Sequence, residues 1–175
     1  MLKDYKNHVE ERLQQGIPPL PLNAEQVSEL VDLLKSPPKG EEDYILDLIT
    51  NRTPAGVDPA AYVKAGFLTA IAKDETSSPL IDKKHATSLL GTMLGGYNVE
   101  SLIGLLEDEE VGEIAAEGLS KTLLMFNAKH DVIELAKKIQ MQKKWWTHGL
   151  MQNGLNQGQN YPRLSRLLSL ESKER

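Results

Sequence analysis

The sequence contains no cysteine among its 175 residues. This absence excludes disulfide bonds, thiolate nucleophiles, and any zinc ion or iron–sulfur cluster held by thiolates of this chain. Long apolar runs are also missing, since no stretch approaches the roughly 20 apolar residues that a transmembrane helix needs. Residues 1–12 are charged from the third position and contain no apolar signal core, so we expect a cytoplasmic protein with no membrane partner.

The common chemical motifs are missing as well. The glycines form neither a P-loop nor a dinucleotide-binding fingerprint, and no serine stands in a nucleophile elbow. None of the four histidines lies three or four residues from another, so helical spacing creates no metal-binding pair. The acidic run at 107–110 lacks the spacing of a calcium loop. We therefore expect no catalytic, cofactor-binding or metal site in this chain.

Charge is distributed unevenly along the chain. Residues 1–136 contain 12 Lys or Arg and 23 Asp or Glu, a net charge of −11. Residues 137–175 contain 8 Lys or Arg and 2 Asp or Glu, a net charge of +6. Because nucleic-acid binding rests on basic patches, RNA is an unfavourable partner for the long acidic part of the chain.

Apolar residues recur at steps of three and four through most of the chain, and no strand-type alternation competes. Helix starts are predicted at Asn23, with Gln26 completing a capping box, at Asp58-Pro59, at Asp82 and at Asn98.

Helix ends are predicted at Gly16, at Ser78-Pro79 and at Gly95-Gly96, with Leu94 buried before the last of these. The longest predicted helix runs from Val111 to Phe126.

The pattern predicts an all-α fold of about eight short helices joined by short loops. Such helices form either an antiparallel bundle or a short α-solenoid. The residues alone leave both architectures open, because no clean internal repeat is visible.

Two stretches combine Pro/Gly turns with strongly apolar helical runs: Asn51–Ala72 (NRTPAGVDPAAYVKAGFLTAIA) and Leu89–Asn98 (LLGTMLGGYN). Together with Ser78–Leu80, Leu119–Phe126 and Asp131–Val132, they resemble the N-terminal helical domain of the aconitase B family, the bifunctional aconitate hydratase 2 / 2-methylisocitrate dehydratase. The resemblance implies a HEAT-like right-handed α-α superhelix over residues 1–138.

The resemblance also carries functional expectations. Full-length members isomerise citrate to isocitrate through cis-aconitate in the tricarboxylic acid cycle and act on 2-methylisocitrate, with a [4Fe–4S] cluster on downstream cysteines. The helical domain is associated there with protein–protein contact. We therefore expect a non-catalytic interaction domain, not an enzyme by itself, in the bacterial cytoplasm. Its expected partners are the remaining aconitase domains or a second copy. The alternative is an RNA-binding or regulatory helical adaptor acting alone.

The expected interaction surface consists of the polar members of the two stretches. For the arginine at position 52, two roles stay open: an anion ligand, or a cap on the C-terminal carbonyls of its own helix. The six candidate residues are Asn51, Arg52, Tyr62, Lys64, Tyr97 and Asn98.

Residues 139–175 depart from the family pattern. Residues 140–160 contain eight Gln or Asn, both tryptophans and no helical periodicity. One interpretation is a natural, disordered basic tail. The other is a frameshift near Lys137–Ile139 in a truncated chain. Back-translation of residues 139–163 in the neighbouring frame permits SWADAEWF, which resembles the segment that follows this domain in the family. In that case the tail, with its Lys and Trp cluster at 143–146, was never selected.

Overall fold

The computed structural model describes residues 1–122, 133–135 and 137–138. The described part contains helices and no β-sheet, which confirms the predicted all-α class. Residues 133–135 and 137–138 are helical and follow seven longer elements. These are α1 (Leu2–Gln14), α2 (Ala24–Lys35), α3 (Glu42–Asn51), α4 (Pro59–Ala72), α5 (Lys83–Gly91), α6 (Val99–Gly104) and α7 (Gly112–Lys121).

Three predicted helix starts are confirmed in atomic detail. Asn23 and Gln26 form the reciprocal capping box at the start of α2, with distances of 2.9 and 3.0 Å. Asp58 accepts from the amide of Ala60, one residue after the proline that opens α4. Asp82 accepts from the amide of His85, in the first turn of α5, at 2.7 Å. Each cap satisfies an amide that has no partner inside the helix.

Helix ends agree less well with the prediction. Gly16 does follow α1 at a φ of +71°. However, α4 ends at Ala72, well before Ser78-Pro79, and α5 ends at Gly91 rather than at Gly95-Gly96. Helix α7 ends at Lys121 because Thr122 has an extended backbone, so the predicted helix from Val111 is shorter than expected. Residues 123–126 lie outside the described part.

The core is a row of four helices in which α2, α4, α5 and α7 each contact the next. Helix α3 packs on α2, and α6 packs on α7 and α5. Fully buried leucines fill the interfaces, among them Leu30, Leu34, Leu68, Leu90 and Leu102. Burying such side chains stabilises the fold by about 1.5–3 kcal/mol each. The right-handed superhelical path, and the boundary at residue 138, stay predictions.

Helices α5 and α7 cross through a pair of glycines. A Cβ atom on Gly118 would lie 2.8 Å from the Cα of Gly91, and one on Gly91 would lie 3.0 Å from the Cα of Gly118. Real Cβ atoms essentially never approach backbone within 2.8 Å, so glycine is required at Gly118 for the two helices to cross at this distance, whereas a Cβ atom on Gly91 would require a shift of a few tenths of an ångström.

Polar contacts join helix α1 to the connector before α2 and to the start of α3. The Tyr5 hydroxyl donates to the Leu20 carbonyl at 2.7 Å, and the Lys6 ammonium pairs with Glu41 at 2.7 Å. The Lys6 ammonium also lies 4.8 Å from the centre of the Tyr44 ring, a cation–π distance. Among the described residues, no helix is both long and apolar enough to cross a membrane.

Candidate interaction surface

The two stretches that stand out in the sequence meet in space. The loop between α3 and α4 contacts the loop between α5 and α6, where the Gly56 amide donates to the Met93 carbonyl at 3.2 Å. Gly96 lies directly against this contact. It has a φ of +82°, and a Cβ atom there would lie 2.7 Å from the Gly56 carbonyl oxygen. Glycine is therefore required at Gly96 by both its backbone conformation and the close approach of the two loops.

Leu94 lies in the second of these loops and corrects the prediction that it is buried. Its side chain is 49% exposed, and its φ is +65°. Because α5 ends at Gly91, Leu94 is no longer on the apolar stripe of a helix, and its left-handed backbone turns the side chain outward. A leucine in this conformation carries a strain of about 1–2 kcal/mol. Strain of this kind often marks functional positions.

Two tyrosines stand beside the loop contact. The rings of Tyr62, on α4, and Tyr97, before α6, pack edge to face with centroids 5.0 Å apart and planes at 74°. They are 64% and 41% exposed. Val57, which is 68% exposed, lies close to Gly96 in the contacting loop. We call Val57, Tyr62, Leu94 and Tyr97 the tyrosine patch.

A groove continues from the patch between α4 and α6. Its volume is about 470 Å³, and both patch tyrosines line it. A hydrogen bond of 2.7 Å from the Thr69 hydroxyl to the Ser101 hydroxyl links the two sides. Glu75 and Glu100 are the charged residues of its lining, and both side chains are exposed. The groove thus combines aromatic faces, hydroxyls and negative charge.

The structure therefore brings together two of the six predicted surface residues, Tyr62 and Tyr97. Asn98 is not on the surface. Its side chain is fully buried, and its Nδ2 atom donates to the Leu90 carbonyl at 2.7 Å. It occupies the position before α6, as predicted, but makes no side-chain cap there. Its role is to hold the end of α5 against the start of α6.

Lys64 is also buried, at 3% exposure, which corrects its placement on the interaction surface. Its ammonium lies 3.4 Å from the Thr50 carbonyl, in the last turn of α3. A cation at this end of a helix complements the negative end of the macrodipole. Burial removes water from the ammonium and lowers the pKa of Lys64 to about 8.

This lysine performs the role that we considered for Arg52. Arg52 follows α3 and is partly exposed, and its carbonyl accepts from the Leu22 amide at 2.8 Å. Its guanidinium makes no hydrogen bond to the α3 carbonyls in the described structure, whereas Lys64 reaches one of them. Asn51 is exposed and donates to Asp47 at 2.8 Å. Asn51 and Arg52 therefore lie at the end of α3 and outside the tyrosine patch and its groove.

Sequence reasoning missed the two aliphatic members of the patch. Val57 stands between Gly56 and an N-cap aspartate, and Leu94 stands directly before Gly95. An apolar residue next to a turn glycine has no helical stripe to join, and that is the signal that identifies both. Within the described residues, no group of three His, Asp or Glu side chains converges in a way that holds a metal ion.

The described residues form helices that pack in a row, so the protein is an all-α helical domain. Its contacting loops carry the exposed tyrosine patch. Residues 4–146 match the family described as the Aconitate B N-terminal domain, and the chain belongs to this family. The predicted resemblance is thereby confirmed.

The relatives carry the same name. The chain is 64% identical over 138 residues to "Aconitate hydratase B" of Pseudomonas aeruginosa. This alignment covers 79% of the present chain and 16% of the relative. The chain is 58% identical over 137 residues to the protein of that name in Escherichia coli K12, and 41% identical over 145 residues to the one in Helicobacter pylori. These alignments cover 78% and 82% of this chain and 16% and 17% of the relatives, so the chain spans about one-sixth of their length.

Proposed function

We propose that this chain is a non-catalytic protein-interaction domain of an aconitate hydratase B. The observation that carries the proposal is the tyrosine patch, in which four large apolar side chains are exposed on α4 and two contacting loops. Exposed apolar surface is typical of interaction sites, and tyrosine is enriched at them. The strained backbone of Leu94 adds to this, because it keeps a leucine exposed at a cost in stability.

The chemistry of hydration belongs, in this proposal, to the remainder of the longer protein. The [4Fe–4S] cluster that the family resemblance implies needs thiolate ligands, and this chain contains no cysteine. The chain therefore does not fit the cluster, and we derive no catalytic step for it. We place the domain in the bacterial cytoplasm with its parent enzyme.

The partner is the remainder of the parent enzyme or a second copy of the domain. Relatives are about six times as long as the aligned region, so a domain joined to the remainder meets it at high effective concentration. Under that condition, a patch of modest area is sufficient for a stable contact.

Binding between the full chain and the remainder of the Pseudomonas aeruginosa relative, expressed without its aligned region, tests the proposal. We expect micromolar affinity by isothermal titration calorimetry. The double substitution Tyr62→Ala/Tyr97→Ala should weaken it about ten-fold or more, as the loss of a central aromatic contact does. Leu13→Ala is the matched control, since Leu13 is 63% exposed on α1, in a different element.

Sedimentation of the chain alone separates the two partners. A dimer that Tyr62→Ala/Tyr97→Ala dissociates would identify a second copy as the partner. A monomer that also fails to bind the remainder would overturn the proposed function. Aconitase turnover by the purified, iron-loaded chain would overturn the non-catalytic assignment.

The RNA-binding adaptor stays the alternative, and no observation on the described residues favours it. The chain from residue 1 to residue 136 carries a net charge of −11, and the groove beside the patch is lined by two carboxylates. Salt-dependent retention of RNA on filters by the full chain would support the alternative.

A further inference from the structure

The groove between α4 and α6 has a chemical character that the apolar patch alone does not explain. Its charged lining residues are Glu75 and Glu100, and neither carboxylate has a side-chain partner among the described residues. Their charges therefore act on whatever enters the groove. The acidic balance of the chain up to residue 136 adds a favourable field for a positively charged ligand.

The aromatic end of the groove suits the same ligand. Tyr62 and Tyr97 pack edge to face, are both exposed and both line the groove. Ring faces attract cations by about 0.5–1 kcal/mol at exposed sites. The hydroxyls of Thr69 and Ser101, which are hydrogen-bonded to each other, add hydrogen-bonding oxygens to the groove lining. One cation could therefore contact aromatic, hydroxyl and carboxylate groups in a single groove.

Arginine fits this combination better than lysine. A guanidinium is planar, stacks on aromatic rings and binds carboxylates through two parallel hydrogen bonds, whereas an ammonium is a more strongly hydrated point charge. A volume of about 470 Å³ lies at the small end of ligand pockets, which span roughly 300–1,000 Å³, and it admits a side chain with part of its backbone. An aliphatic neighbour of that arginine would lie on Val57, an exposed side chain close to Gly96 of the groove lining.

We propose that the groove binds an arginine side chain of a partner protein, with aliphatic residues beside that arginine packed on the tyrosine patch. The proposal rests on the proposed function and names the chemistry of the partner segment. Charge complementarity selects the occupant: the groove and the chain up to residue 136 are acidic, so the partner segment is basic.

The test uses the isotope-labelled full chain and two capped peptides, acetyl-Ala-Leu-Arg-Leu-Ala-amide and its counterpart with Gln in place of Arg. Amide chemical shifts are followed by NMR during titration. We expect saturable shifts near Tyr62, Gly66 and Glu100 with the Arg peptide. The Gln peptide should bind at least five-fold more weakly, and raising the salt concentration should reduce that difference.

Substitutions test the carboxylates directly. Glu75→Gln/Glu100→Gln should lower the affinity for the Arg peptide at least five-fold and leave the affinity for the Gln peptide unchanged. Glu10→Gln/Glu109→Gln is the matched control, because it removes the same charge from exposed glutamates outside the groove lining. The control should change the affinity for the Arg peptide less than two-fold.

Equal binding of the two peptides would overturn the proposal, and so would the absence of shifts in the groove at millimolar peptide. Shifts in the groove on concentrating the chain without peptide, together with a dimer in sedimentation, would assign the groove to a second copy and also overturn it. If the peptides fail while Tyr62→Ala/Tyr97→Ala still weakens binding to the remainder of the relative, the proposed function stands and only the arginine assignment is wrong.

Discussion

Two places in this domain bring backbones together through glycine, with opposite results. At the crossing of α5 and α7, Gly91 and Gly118 allow two helices to approach, and the surrounding side chains are buried. At the loop contact, Gly96 allows its loop to approach the Gly56 carbonyl, and the nearby side chains of Val57, Leu94 and Tyr97 are exposed. Close backbone approach thus serves stability in one region and the display of a surface in the other.

The helix crossing should be the more sensitive of the two regions. Gly118→Ala places a Cβ atom 2.8 Å from the Cα of Gly91, so the two helices must separate. We expect the free energy of unfolding to fall by about 3 kcal/mol, at the upper end for overpacking. Urea unfolding followed by circular dichroism measures this. Gly66→Ala is the control, since nothing lies within 4 Å of its added Cβ and alanine favours a helix. A loss below about 0.5 kcal/mol for Gly118→Ala would contradict the close crossing.

The loop contact should be sensitive to the same change, with a smaller effect. Gly96→Ala adds a Cβ atom 2.7 Å from the Gly56 carbonyl oxygen and forces alanine to a φ of +82°. We expect a loss of about 2 kcal/mol, in which the backbone strain contributes about 1–2 kcal/mol; the overlap adds less than at the helix crossing, because a loop shifts more easily than a packed helix. Gly40→Ala separates the two causes, since Gly40 has a φ of +85° and free space around it. Equal losses for both variants would show that the loops separate freely.

Lys64 lies on α4, next to the loop contact, and it makes the stability of the folded chain depend on pH. Its pKa is about 8 in the folded chain and 10.5 as the ordinary value, so the unfolded chain binds more protons between these limits. Stability contributed by this group therefore rises as the pH increases from 8 to 10.5.

We measure this effect against Lys64→Met, which removes the titrating group. The free energy of unfolding of the native chain, relative to Lys64→Met, should rise by about 2 kcal/mol between pH 7 and pH 10. Other titrating groups cancel in the difference between the two chains. Parallel stability curves would show that the Lys64 ammonium is not desolvated.

The smallest expected effect concerns Leu94, where the loop region presents an apolar side chain on a strained backbone. Leu94→Asn should raise the free energy of unfolding by about 0.5 kcal/mol, because asparagine tolerates the left-handed conformation better. The same variant should weaken binding to the partner. Leu13→Asn, in a regular exposed helix, should instead lower stability by a similar amount. A loss of stability in both variants would argue against strain at Leu94.

The sequence predicted local features better than distant ones. The start of α2 depends on Asn23 and Gln26, which are three residues apart, and the start of α4 depends on Asp58 and the proline that follows. Helix ends were predicted less accurately than helix starts. Helix α4 ends well before the proline at 79, at a turn in which Asp74 has the left-handed conformation. That turn contains neither glycine nor proline, the residues from which we predicted helix ends.

The candidate site divides in the same way. Tyr62 and Tyr97 were predicted to lie on the interaction surface because they belong to the two unusual stretches, and the structure places their rings in contact. Lys64 and Asn98 were predicted to lie on the same surface because they are polar, but both are buried. A polar residue type does not by itself indicate an exposed side chain. The Lys64 ammonium contacts a carbonyl of another helix, and the Asn98 amide contacts the end of the preceding helix.

The sequence by itself determined the all-α class, the helix starts and the family, because periodicity, caps and family motifs are properties of neighbouring residues. Only the tertiary structure decided that the loop at Gly56 meets the loop at Gly96, that Leu94 is exposed and that Lys64 is buried. These outcomes depend on contacts between residues that are 14 to 40 positions apart in the chain. Such contacts form only when the helices pack, and the pattern within any one helix does not encode them.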